Sequence, residues 1–139
     1  MSKEIQKEEI FPLLLEADPS FEPVWRRFLN QWEKDEGGLP LTIAIEEFAE
    51  HLVGKLEAGD TSRFKEIFAV IERLHLSTDV YVSNEVKGIS EGILDTASYA
   101  KLHPYDFEPW LEPETKRAWL AMNKGYYGRE WPADISPNN

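Results

Sequence analysis

An all-α fold is predicted by three features of the sequence. Apolar residues recur at helical spacing through most of the chain, turn and cap residues punctuate those stripes, and no period-2 run is long enough for a strand. The clearest stretch runs from Thr61 to Leu94, read as two antiparallel helices. In the first, expected from about Thr61 to Leu76, Phe64, Ile67, Phe68, Ile71 and Leu74 share one stripe. The second opens at Ser77-Thr78-Asp79, whose side-chain oxygens suit a helix start, and turns Val82, Val86, Ile89 and Ile93 inward. So short a connection folds the pair back on itself. The expected architecture is a stack of antiparallel helical hairpins, as a compact bundle or a short HEAT-like superhelix, with about six or seven helices.

In chain order, a first helix is expected over Glu4 to Ala17, with Ile5, Ile10, Leu13 and Leu14 inward. Pro12 requires either a kink or a start near Phe11. Asp18-Pro19-Ser20 ends that helix and caps the next, which runs from Phe21 to about Asp35. Its Phe21, Val24, Trp25, Phe28, Leu29 and Trp32 have core spacing, which favours packing over a tryptophan cage. After the loop Glu36-Gly37-Gly38-Leu39-Pro40, a third helix over Thr42 to Ala58 buries Ile45, Phe48, Ala49, Leu52, Val53 and Leu56. Gly59 supplies the left-handed residue after it, and Asp60 caps the next helix. An offset of nineteen aligns Ile45, Ala49, Leu52 and Asp60 with Phe64, Phe68, Ile71 and Asp79, a faint repeat that fits stacked hairpins. From Asp95 to Leu111, aromatics and two prolines predict short helical turns. A last helix opens at Glu112-Pro113, with proline at its tolerated first position, and stops at Gly125. One domain is expected: core hairpins over residues 11–94, aromatic C-terminal helices over 95–127 and a tail over 128–139.

Charge narrows the function classes. Twenty-six acids against fifteen bases give a net charge of −11, and residues 1–60 alone carry −8 from fourteen acids and six bases. Such a field repels nucleic acid and anionic membrane surfaces and attracts basic partners. No apolar run approaches the ~20 residues of a membrane span, and the charged N-terminus lacks a signal peptide's apolar region, so a cytoplasmic location is expected. With no cysteine there is no disulfide or thiol chemistry.

Enzyme signals are sparse. Glu72-Arg73-Leu74-His75 supplies one Glu-x-x-His pair where a di-iron bundle needs two, and His51 and His103 have no glutamate at that spacing. His75 is read instead as a cation near a helix C-terminus. Glu47 and His51, at i and i+4, are read as a surface pair. No nucleophile elbow or phosphate-cradling loop is present. Gly88 and Gly92, four apart within a predicted helix, point to close helix packing. No catalytic residue, metal or cofactor is expected.

Two recognition surfaces remain. One is the acidic face of the third helix, Glu46, Glu47, Glu50 and Glu57, where Glu46 and Glu50 stack like charges at some energetic cost. The other is Tyr105-Asp106-Phe107-Glu108-Pro109-Trp110 with Glu112 and Glu114, where aromatics beside carboxylates suit an interface with a cationic protein. Asn84 and Glu91, seven residues apart near the glycine notch, are expected to share a face as a structural clasp or a pocket.

The segments Leu14-Leu15-Glu16-Ala17-Asp18-Pro19-Ser20-Phe21, Phe48-Ala49-Glu50-His51-Leu52-Val53 and Gly88-Ile89-Ser90-Glu91-Gly92-Ile93-Leu94 resemble a family of small, acidic, all-helical bacterial proteins of uncharacterised role. The resemblance spans about Phe11 to Leu94. Proteins of this size and charge are similar to the immunity proteins that accompany secreted bacterial toxins, including contact-dependent inhibition systems. The resemblance implies an antitoxin-like protein that binds a cationic toxin, such as a nuclease, and covers its active site. The expected contacts are Glu46, Glu47, Glu50, Asp106, Glu108 and Trp110. A helical adaptor or scaffold with some other partner is the alternative, and a metal-dependent enzyme resting on Glu72 and His75 alone is the remote one.

Overall fold

Helical spacing becomes helix throughout. The structure, a computed structural model, describes residues 4–97 and 104–127. Seven α-helices occupy them: α1 (Ile10–Ala17), α2 (Glu22–Trp32), α3 (Leu41–Glu57), α4 (Phe64–His75), α5 (Val80–Glu85), α6 (Lys87–Ala97) and α7 (Pro113–Tyr127). Three 3-10 segments, Lys7–Glu9, Pro19–Phe21 and Pro104–Trp110, accompany them, and no strand occurs among the described residues. The expected tail over 128–139 lies outside the described residues, as do Tyr99 and His103.

The first helix starts at Ile10 rather than Glu4. Pro12 therefore falls in the first turn, where its missing N–H has no intrahelical partner to lose. The 3-10 turn before α1 is tied to the other side of the fold through Ser77. That hydroxyl donates to the Ile5 carbonyl and accepts from the Ile5 N–H, both at 3.0 Å. At its other end, α1 leaves carbonyls that Arg63 satisfies, donating to Ala17 at 2.9 Å and Glu16 at 3.2 Å.

Gly59 adopts φ 73°, and the Asp60 N–H reaches back to the Lys55 carbonyl at 2.8 Å, closing α3 in a Schellman motif. Asp60 does not cap α4. Its carboxylate pairs with Lys55 at 3.0 Å, and Arg63 stands at the N-cap without a capping side-chain bond. Asp79 does cap, its Oδ1 accepting from the Val82 N–H at 3.1 Å. The nineteen-residue repeat therefore holds for the apolar positions and fails at the caps.

The single helix expected after Ser77 is two. The ladder breaks at Val86, where the Ile89 N–H takes the Val86 carbonyl in a tighter turn. The apolar set survives, since Val82, Val86, Ile89 and Ile93 are all buried. The most extensive helix pairing is not within the Thr61–Leu94 stretch. α6 packs most extensively on α3, and α4 lies against α1, α5 and α7. Helices remote in sequence thus meet around one core that runs from Ile5 to Met122, the arrangement of a bundle rather than a superhelix of sequential neighbours.

Close approach of α3 and α6 follows from the two glycines. A Cβ on Gly88 would lie 2.9 Å from the Ile45 Cγ2, and one on Gly92 would lie 2.6 Å from the Ala49 Cβ. In the expected aromatic segment, Phe107 is fully buried and stacks on Phe64 at 5.9 Å, and Trp110 meets Phe64 edge-on at 4.9 Å. α7 continues past Gly125 to Tyr127.

α7 is anchored by Glu72. Its carboxylate accepts from the Glu114 and Thr115 N–H groups and from the Thr115 hydroxyl, each at 2.9 Å. A buried anion thereby satisfies orphan donors at the positive end of α7.

Candidate protein-binding surface

Where α3 and α6 touch through glycine, their flanking side chains line a shallow groove. Glu46 and Glu50 stand on α3, and Glu91 and Asp95 on α6. Gly88 and Gly92 lie in the floor, and Thr42 lies at one end. The groove encloses about 250 Å³, and no Lys, Arg or His lines it among the described residues. The seam fixes this geometry. With no Cβ at Gly88 and Gly92, the backbones approach, and carboxylates one turn apart on each helix are set across one channel. Thr42 donates to the Glu85 carboxylate at 2.6 Å and joins the start of α3 to α5.

Glu46 and Glu50 are thus brought together as expected, but with α6 partners that the sequence assigned elsewhere. The expected clasp of Asn84 and Glu91 does not form. The break at Val86 puts them on different helices, both are exposed, and Glu91 belongs to the acidic groove. Glu47 is half-buried outside the groove, and Glu57 is exposed as the last residue of α3. The C-terminal trio lies elsewhere. Asp106 is exposed, Glu108 pairs with Lys116 at 2.9 Å, and Trp110 is half-buried against the core. That segment closes the end of the core, and none of the three lines the groove.

Sequence reasoning missed a second polar cluster. His51 does not pair with Glu47. Its Nε2 lies 3.0 Å from the Asp18 carboxylate and 3.1 Å from the Ser20 hydroxyl. Lys55 donates to Ser20 at 2.9 Å and to Asp60 at 3.0 Å, and lies 3.8 Å from Asp18. Burial pushes the Asp18 carboxyl up, but hydrogen bonds from His51 and Ser20 and the charges of His51 and Lys55 outweigh it, leaving it below its ordinary value. A serine, a histidine and an aspartate so close suggest nucleophilic catalysis, but the geometry forbids the relay. One ring nitrogen serves both partners, whereas the relay needs the two nitrogens separately. The Lys55 Nζ is engaged by Ser20 and Asp60 and lies beside Asp18, so it completes the cluster. The cluster fastens α3 to the α1–α2 turn.

A larger cavity of about 620 Å³ is lined by His75, Ser83, Lys87 and, from α7, Glu114, Arg117 and Met122. His75 is not the expected cation. Burial, the largest influence, and the Lys87 charge push its pKa down to about 4 against the pull of Glu72, so the ring is neutral at pH 7. Glu72 is occupied by α7, so the Glu72–His75 pair is no half-site for metal. Among the described residues, no group of three or more His, Cys, Asp or Glu is arranged to hold a metal ion. No helix among them is long and apolar enough to cross a membrane.

The chain is 28% identical to the glycine cleavage system H protein of Vibrio atlanticus (strain LGP32) over 85 residues, covering 55% of this chain and 68% of that one. It is 29% identical over 90 residues to the protein of the same name from Idiomarina loihiensis, covering 59% and 69%. No solved structure matches the chain. The model of one family matches residues 11–128, extending past Leu94 through the aromatic segment and all of α7. The chain belongs to that family, described as "Domain of unknown function (DUF7674)".

Proposed function

We propose that this chain is a protein-binding module of the immunity or antitoxin kind, which docks a basic partner through its acidic groove and covers the partner's working site. The observation that carries the reading is the convergence of Glu46 and Glu50 with Glu91 and Asp95 across a seam held narrow by Gly88 and Gly92. Four carboxylates side by side in a net −11 chain make the local potential strongly negative and steer cationic protein surfaces. A nuclease toxin fits best, because its cleft is basic in order to hold phosphates, and an acidic groove can occupy it.

The test is to express the product of the reading frame next to this chain's gene and to measure binding and inhibition. A basic product bound one-to-one and silenced by this chain supports the proposal. A product bound without loss of its activity favours the adaptor reading instead. A neutral or acidic neighbour that does not bind counts against both.

A further inference from the structure

The cavity of about 620 Å³ is walled by the last residue of α4, by α5, by the first residue of α6 and by α7. It shares no lining residue with the acidic groove. Its volume lies within the roughly 300–1,000 Å³ usual for small-molecule pockets.

The charge of this cavity is opposite to that of the chain. Among its described lining residues, Lys87 and Arg117 stand against one carboxylate, Glu114. Two positive charges and one negative leave +1, in a chain of net −11. Glu114 and Arg117 neutralise each other at 2.8 Å, which leaves the Lys87 ammonium. Lys87 makes no ion pair among the described residues. The acid one turn further along α6, Glu91, lines the groove against α3 instead. An ammonium left without a counter-charge at a cavity wall attracts an anion.

Two neutral polar groups line the same cavity. The His75 Nε2 is buried without a hydrogen-bond partner, in a ring that is neutral at pH 7. The fold leaves this nitrogen unused, and a ligand atom would supply what it lacks. The Ser83 hydroxyl donates to the Val80 carbonyl at 3.3 Å, longer than the usual distance of about 2.7–2.8 Å, so it is readily redirected. The remaining wall is apolar. Ala118, Ala121 and Met122, at i, i+3 and i+4, form one strip of α7, and the methionine adapts to irregular apolar shapes.

We propose that this cavity binds a small organic monoanion, with a carboxylate held by Lys87 and Ser83 and an apolar body laid along Ala118, Ala121 and Met122. A single net positive charge matches a carboxylate better than a phosphate monoester, which carries about two negative charges at neutral pH. The site stands whether or not the acidic groove docks a protein.

The experiment titrates the full chain at pH 7 with octanoate, octan-1-ol and octyl phosphate in turn, following amide and methyl shifts by NMR. Octanoate is expected to shift Ser83, Lys87, Ala118, Ala121 and the Met122 methyl to saturation, and to bind about tenfold more tightly than octan-1-ol. Lys87→Met, at an exposed site, is expected to remove that preference, and Lys87→Arg to retain it. Both variants should keep the parent spectrum away from the cavity. Equal affinity for acid and alcohol, or a preference that survives in Lys87→Met, would overturn the anion site. Octyl phosphate bound about tenfold more tightly than octanoate would overturn the carboxylate assignment. Shifts centred on Trp25 and Tyr81, or no saturable shift at all, would overturn the cavity as the site.

Discussion

Replacing Gly92 by alanine is the sharpest probe of the seam beneath the acidic groove, because two effects oppose and the structure gives the size of each. Alanine is about 1 kcal/mol better than glycine in a helix interior. Against this, the new Cβ would sit 2.6 Å from the Ala49 Cβ, where ordinary carbon contacts lie near 3.5–4.0 Å. α3 and α6 would have to part by about 1 Å, and overpacking of this kind costs about 1–3 kcal/mol. The net expectation is a loss of about 1 kcal/mol, or about 4 °C in Tm for a chain of this length. Gly54→Ala is the matched control. It lies in the same kind of helix interior, its added Cβ would meet nothing within 4 Å, and it should gain about 1 kcal/mol. Denaturant unfolding of both variants, and of Gly92→Ala combined with Ala49→Gly, measures the difference. The double variant removes the facing Cβ, so the two changes should couple favourably by about 1 kcal/mol or more. Equal stabilisation by Gly54→Ala and Gly92→Ala would refute the close-packed seam.

Other sites give distinct expectations. Glu72→Ala orphans three donors of α7 and should cost about 3 kcal/mol, whereas Glu72→Gln, which keeps one acceptor, should cost about half that, both read by denaturant unfolding. Asp18→Asn removes the buried counter-charge of Lys55 and the carboxylate that meets His51, and should cost about 2–3 kcal/mol at pH 7. Since the Asp18 carboxyl sits below its ordinary value, its contribution is present above the unfolded pKa and is lost as pH falls through the folded one. His75 acts in the same direction. Its ring is neutral when folded and takes up a proton more readily when unfolded, so stability falls as pH drops from about 6.5 to about 4. His75→Phe should flatten the stability–pH profile over that window relative to the parent chain, as read by thermal melts.

Much of this architecture was legible because apolar periodicity is a local signal. Phe64, Ile67, Phe68, Ile71 and Leu74 reached the core as their spacing implied, and the Gly88/Gly92 pair did pack a helix closely. What escaped was long-range polar pairing. Glu72 finds Thr115 43 residues later, and His51 finds Asp18 33 residues earlier, so no spacing rule connects either pair. The break at Val86 was hidden for a different reason. The stripe Val82, Val86, Ile89 and Ile93 stays buried across it, so the pattern reads as one helix while the phase shifts and separates Asn84 from Glu91. Half of the acidic groove was visible as the Glu46/Glu50 repulsion. The other half came from α6, and only the tertiary contact of α3 with α6 joins them.

The most direct test of the acidic groove is the association rate with a basic partner from the neighbouring reading frame, measured by stopped flow at about 50 mM and about 500 mM salt. Screening over a few ångströms should slow association at least ~10-fold. Glu46→Gln with Glu50→Gln and Glu91→Gln should remove most of that dependence while leaving the chain folded. A rate that is the same at both salt concentrations, or a salt dependence unchanged in the triple variant, would contradict the account.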